Sequence, residues 1–241
     1  MIDALINKLE NYLTLSDADK QHLTNAVDRV EDIKKDQDII LVNEKPEFVH
    51  LIIEGWACRY KLLADGQRAI VAYLIPGDLC DIHIALLDHM DHSVCSLTPL
   101  KIAYLSREKI EEMFFNNNTL ARAFFWSALI EESIMREWFA NVTSRPADKR
   151  LAHMFCEIMM RYRAAGLTDR HDSIHFPLTQ NELADAAGLS VVHTNRVLQR
   201  LRKEGLITYA NKHLEIKDWD RLKTFGDFDP RYMHLSEAVM Q

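Results

Sequence analysis

The sequence predicts an α+β chain: an N-terminal antiparallel β-barrel or jelly roll, one long helix, and a C-terminal winged helix-turn-helix. Three observations predict it. Short runs rich in β-branched and aromatic residues alternate with turn dipeptides between Asp38 and Leu105. A helix beginning near Asn118 is apolar on more than one side. Thr179 to Ile207 reads as two capped helices joined at a glycine.

The bulk numbers are compatible with that architecture. A chain of 241 residues, 48% hydrophobic and 27% charged, has room for two domains and an ordinary globular composition. Only 7 Gly and 6 Pro exclude a low-complexity or fibrous chain. The start, "MIDALINKLENYL", mixes acidic residues with apolar ones at helical spacing, unlike a secretory signal. No apolar run approaches the roughly 20 residues that span a bilayer. The expectation is a cytoplasmic chain without membrane contact. Cys58, Cys80, Cys95 and Cys156 are scattered with no CxxC pair, which suits buried free thiols better than a zinc ribbon or iron–sulfur site.

Residues up to about Ile33 read as short amphipathic helices, with Ser16 capping "DADKQHLTNAV". Strands follow in "FVHLIIEG" and "WACRYKLLADGQRAIVAYL". Asp65-Gly66 marks a tight hairpin, because such turns need positive φ. Pro76-Gly77-Asp78 is a second turn, and "HSVCSL" and "LKIAYL" are further strands. "REKIEEMFF" is a helix, and a longer one runs through "TLARAFFWSALIEESIMREWFANVT". Its apolar residues wrap around more than one stripe, so it must bury two faces. The simplest second partner is the same helix of another copy, with Phe124, Ala128, Met135 and Trp138 as candidates for that contact. Burial wholly within one chain is the alternative. Pro146 suits the first turn of the next helix, "ADKRLAHMFCEIMMRYRAAG", whose apolar face is Leu151, Met154, Phe155 and Ile158 and which ends at Gly166. "LTDRHDSIHFP" reads as a polar connector. The domain division is therefore 1–117 for the barrel, 118–145 for the long helix and 146–241 for the C-terminal unit.

In that last unit Thr179 with Glu182 forms a capping box, and Leu183, Ala184 and Ala187 give a short helix one apolar face. Gly188 turns the chain and Ser190 caps a second helix. There Val197, Leu198 and Leu201 face inward and His193, Asn195, Arg196, Gln199 and Arg200 face out. "LITYANKHLEIKD" then reads as two strands around Asn211-Lys212, a wing. The chain's net charge is -7, yet Ser190 to Lys223 holds eight basic and four acidic residues, a local balance of +4. Basic residues contacting phosphates supply most non-specific DNA affinity, so double-stranded DNA is the expected partner. A helical protein-interaction module with a solvated basic face is the competing reading. Steep salt dependence of DNA retention separates the two.

Barrel, long helix and winged helix-turn-helix together resemble the Crp/Fnr superfamily of bacterial transcription regulators. The residues that carry the resemblance are "LTQNELADAAGLSVVHTNRVLQRLRKEGLI" and "DGQRAIVAYLIPGDL". It implies a homodimer whose sensor domain controls two recognition helices on a palindromic operator, with RNA polymerase as a further partner. The DNA-contacting set it implies is Thr179, Gln180, Ser190, Val191, Val192, His193, Asn195, Arg196, Gln199, Arg200 and the wing's Lys212. Arg196 matches the family's common arginine, suited to a bidentate bond with guanine. Val192 stands where the family often has Glu and offers only apolar contact.

The effector is unknown from the sequence. The expected pocket is Gly77, Asp78, Leu79, His83, His92 and Ser93. Members that bind cyclic nucleotides carry Gly-Glu and then Arg-Ser or Arg-Thr for the phosphate; here Gly77-Asp78 and His92-Ser93 stand instead. Loss of the charged bidentate donor argues against a cyclic nucleotide. His83 lies at an offset like that of the haem-ligating histidine in a carbon-monoxide-sensing relative, so a haem- or metal-dependent sensor is one alternative. A metal set drawn from His83, His89, His92 and the Asp residues of the same run is another, and a cupin-like β-barrel metalloenzyme is the rival class. Residues that cap turns and face solvent or the neighbouring helix are the leading reading. No Ser/His/Asp or glycine-rich phosphate pattern points to an enzyme.

Overall fold

The structure, a computed structural model, describes residues 1–168 and 173–240. Two short helices open it, α1 (Asp3–Glu10) and α2 (Asp17–Asn25). Ser16 caps α2 as expected: its hydroxyl accepts from the Asp19 amide and its own amide donates to the Asp19 carboxylate. The helical reading up to Ile33 is wrong beyond Asn25. Val27–Ile33 is strand β1, paired antiparallel with β7 (Leu100–Ser106). Its partner lies some 70 residues away, so no local pattern announces the pairing.

The remaining strands of this half are β2 (Asp38–Ile40), β3 (Phe48–Glu54), β4 (Ala57–Leu62), β5 (Arg68–Leu74) and β6 (Ser93–Ser96). They form two antiparallel sheets, in the orders β1-β7-β3 and β2-β6-β4-β5. Gly66 takes φ +84° in the β4–β5 hairpin, the conformation expected of the Asp65-Gly66 turn. The inner part of the second sheet is covered on both faces, by the two-residue alternation of strands. Ala57, Leu74 and Val94 join the barrel core with Leu51, Ile52 and Ile102. Cys58, Tyr73 and Cys95 point the other way, into a core shared with the C-terminal half.

Helix α3 (Arg107–Asn116) leads into α4 (Asn118–Ser144), which Asn117 caps through the Thr119 and Leu120 amides. Then come α5 (Ala147–Ala164), β8 (Ser173–His175), α6 (Gln180–Ala187) and α7 (Val191–Lys203). The chain continues through β9 (Ile207–Ala210), β10 (His213–Ile216), α8 (Trp219–Phe225) and α9 (Glu237–Met240). The expected connector is corrected in part. Ser173–His175 within it adds a third strand to the wing, in the order β8-β10-β9, while residues 169–172 lie outside the described residues.

Helix α5 is buried far beyond its expected apolar face: every residue from Leu151 to Met160 is enclosed. Its polar members therefore need internal partners. Glu157 accepts from Trp138 Nε1 and from the Tyr232 hydroxyl, both at 2.8 Å. Arg161 donates to the Tyr73 carbonyl at 2.8 Å and to Asp78 at 2.7 Å. His153, 1% exposed, lies 3.3 Å from the Gly226 carbonyl and 3.3 Å from the Tyr232 hydroxyl.

Burial, aided by the Arg145 guanidinium, pushes the His153 imidazole from 6.5 down to about 4. The unfolded chain therefore takes up this proton first. Stability is intact above about pH 6.5 and falls as pH drops toward 4, by on the order of 3 kcal/mol from this residue. Glu157, pushed up by burial, works in the opposite direction, so the comparison with a variant isolates the histidine. His153→Gln should flatten the urea midpoint between pH 6.5 and 4; a midpoint with the wild-type pH slope would refute the assignment.

Candidate nucleic-acid interface and sensor contacts

The two helices of the C-terminal motif meet as their residues dictate. The Thr179 hydroxyl accepts from the Glu182 amide and the Glu182 carboxylate accepts from the Thr179 amide, a complete capping box. Gly188 sits at φ +62° and ends α6, and the Ser190 hydroxyl accepts from the His193 amide to start α7. Leu183, Ala187, Val197, Leu198 and Leu201 close the core between them. Thr194 joins them, fully buried, although the sequence left it unassigned.

The outer face of α7 carries most of the predicted contact set. Val191, Val192, His193, Arg196, Gln199 and Arg200 are exposed and Asn195 is half-buried. Arg196 has no hydrogen bond or ion pair among the described residues, so its fork of five donors is available. Arg200 is engaged: it pairs with Asp148 and, at 2.8 Å, with Glu204. Thr179 and Ser190 are exposed, with hydroxyls already accepting from the backbone, and Gln180 is half-buried beside Thr179. Lys212 stands at the wing tip, where Asn211 and Lys212 both take positive φ.

Helix α4 corrects half of its expected contact set. Phe124 and Trp138 face the chain's own interior, Phe124 in the barrel core and Trp138 bonded to Glu157. Ala128 and Met135 are exposed. They belong to a row of Phe125, Ala128, Glu132, Met135, Phe139 and Val142, all exposed, at alternating spacings of three and four. That is the spacing of a coiled-coil seam. Phe139 is 73% exposed and Phe125 62%, an apolar stripe that one chain leaves in water.

The expected effector pocket divides into two groups. Gly77 needs its φ of +90° and its bare Cα, since a Cβ there would lie 2.8 Å from the Ala4 backbone. Asp78, 2% exposed, accepts from the Ile75 amide and pairs with both Lys8 of α1 and Arg161 of α5. Burial alone would raise its pKa, but the two cations outweigh it and hold the carboxyl below its usual range. Leu79 is buried beside Leu51, and its carbonyl accepts from Arg59. The Ser93 hydroxyl accepts from the Val42 amide. These four residues are committed to contacts within the chain. His83 and His92 instead approach each other, ring centres 5.6 Å apart, with Asp91 alongside. His89 is exposed and stands outside this group. Burial holds both grouped imidazoles below their ordinary range, so they are neutral near pH 7.

Several residues that organise the site went unread in the sequence. Arg59 of β4 donates to the Leu79 and Cys80 carbonyls and pairs with Glu131 of α4 at 2.7 Å. It thereby ties the turn after Asp78 to the long helix. Arg68 of β5 pairs with Asp185 of α6 at 2.9 Å, and the Tyr73 hydroxyl donates to the Glu182 carbonyl, so α6 docks on the sheet. The available signal was Arg59 directly after the apolar pair Ala57-Cys58 of a strand, since an arginine drawn inside must find a partner.

Comparison with known proteins agrees with both halves. Residues 30–117 match the cyclic nucleotide-binding domain family and residues 149–225 the Crp-like helix-turn-helix domain family. The transcriptional activator protein FnrL of Cereibacter sphaeroides is 26% identical over 189 residues, 77% of this chain and 75% of that one. The nitrogen fixation regulation protein FixK of Bradyrhizobium diazoefficiens is 23% identical, covering 73% and 72%. The solved structure of FixK2 from Bradyrhizobium japonicum superposes with a TM-score of 0.73 at 20% identity, over 82% of this chain and 96% of that one.

Asp78→Asn would leave two cations with a neutral partner in a buried site. It should lower the unfolding free energy by about 3 kcal/mol or more. Urea titration at pH 7 measures it, and a loss under about 1 kcal/mol would show that the cluster is not needed.

Proposed function

The chain belongs to the Crp/Fnr superfamily of transcription regulators, and on that premise we propose that it is a cytoplasmic homodimer that reads a palindromic operator. The observation that carries the reading is Arg196, without a partner among the described residues, on the exposed face of α7 and flanked by Val192 and Asn195. The helix lies in a major groove, where Arg196 makes two hydrogen bonds to one guanine and Val192 contacts a thymine methyl. Lys212 on the wing, with Thr179, Gln180 and Ser190 at the two helix starts, holds the phosphates and sets register without reading sequence.

Two such helices need two copies. The stripe from Phe125 to Val142 is the surface that brings them together, the apolar seam of α4 against its counterpart. Half-sites then fall about 34 Å apart, one turn of DNA. The relatives' names as activators support a further contact with RNA polymerase. No catalytic role is assigned. The effector is not a cyclic nucleotide on this reading, because Asp78 is spent on Lys8 and Arg161 and no arginine precedes Ser93.

Selection of bound sequences from a random DNA pool tests the reading. Wild-type protein should enrich an inverted repeat, and Arg196→Ala should lose preference at one position per half-site, a cost of about 1–3 kcal/mol. Equal enrichment by the variant would sink the assignment. Phe139→Asp places a carboxylate in the proposed seam and should halve the mass seen by light scattering; an unchanged mass would remove α4 as the dimer contact.

A further inference from the structure

His83, Asp91 and His92 lie where the chain folds back on itself between the 3₁₀ turn Ile82–Ala85 and β6. One donor atom from each side chain falls within 4.8 Å of the other two. The Nε2 atoms of both histidines are enclosed, and neither has a hydrogen-bond partner among the described residues. His92 is only 8% exposed, so its idle nitrogen is costly unless something binds it. Its Nδ1 lies 2.7 Å from the Asp91 carboxylate, a contact that the exposed Asp91 side chain gives up when it turns to the ion.

We propose that His83, Asp91 and His92 bind one divalent transition-metal ion of the Zn²⁺ or Fe²⁺ class. Two imidazole nitrogens with one carboxylate oxygen suit those ions and not Mg²⁺ or Ca²⁺, which prefer all-oxygen sets. Nitrogen atoms bound at about 2.0–2.1 Å to a tetrahedral ion sit about 3.4 Å apart, so small side-chain rotations close the set. Asp91 is exposed and provides the route from solvent. The nearest cations are Lys61, 3.5 Å from Asp91, and Arg59, whose guanidinium is taken up by Glu131 and the Leu79 and Cys80 carbonyls. Two enclosed nitrogens on rings whose centres lie 5.6 Å apart suit a single ion.

Such an ion would join the two ends of the loop His83–His92 beside the Arg59–Glu131 pair, which connects this region to α4. That regulatory consequence rests on the DNA-binding reading above; metal binding does not. The test therefore needs no DNA. Full-length protein stripped with a chelator is titrated with Co²⁺ alone, and its visible ligand-field absorption is followed. Wild type should saturate at one equivalent per chain. His83→Gln should weaken binding at least 100-fold and Asp91→Asn, at an exposed position that folding tolerates, about 10-fold or more. The neighbouring exposed His89→Gln should bind as wild type does. No saturable equivalent in wild type, or one that His83→Gln and Asp91→Asn leave intact, overturns the proposal. Loss of Co²⁺ in His89→Gln alone would overturn it too. Salt-dependent DNA retention, measured on the same samples, fails or survives separately.

Discussion

The carboxylate of Asp78 holds the molecule's halves in one arrangement. It sits in a glycine turn too tight for any side chain at position 77, and receives Lys8 from the first helix and Arg161 from α5. Charges so enclosed are tolerated only in well-formed pairs, because each would otherwise lose its hydration without return. The cluster thus specifies where the N-terminal helix lies, where the turn lies, and which face of α5 meets the barrel. The chain itself supplies both counter-charges of this turn.

The barrel is tied to the rest of the molecule at further points. The inner residues of the sheet β2-β6-β4-β5 divide between two cores, and α5 and α6 rest on the side of Cys58, Tyr73 and Cys95. Arg68 and Tyr73 hold α6 at that surface, while α7 keeps its outer face free. Arg59 makes a second connection, from the turn to Glu131 on α4. Barrel, long helix and reading head are therefore linked by discrete polar contacts over a continuous apolar core.

Local chemistry was legible where it was self-contained. Ser16, Thr179 and Ser190 act within three residues of their partners, and Gly66 and Gly188 answer to turn geometry alone. Strand Val27–Ile33 and strand Ser173–His175 were missed because each is completed by a distant partner, β7 and β10. The α4 contact set was half misplaced for a related reason. Periodicity shows that a helix is apolar all round, but not which side its own domain claims; Phe124 and Trp138 are claimed, Met135 and Phe139 are not.

The sequence by itself determined the succession of barrel, long helix and winged helix-turn-helix, the exposed Arg196, and the absence of an arginine before Ser93. Each depends on residues close in the chain, where backbone geometry and capping leave little choice. Only the tertiary structure decided the fate of the polar run from Gly77 to Ser93. It enclosed Asp78 between two cations and set His83 and His92 face to face with Asp91. The physical reason is that a charged or ligating side chain is defined by what surrounds it, and those surroundings come from segments that sequence spacing does not bring together.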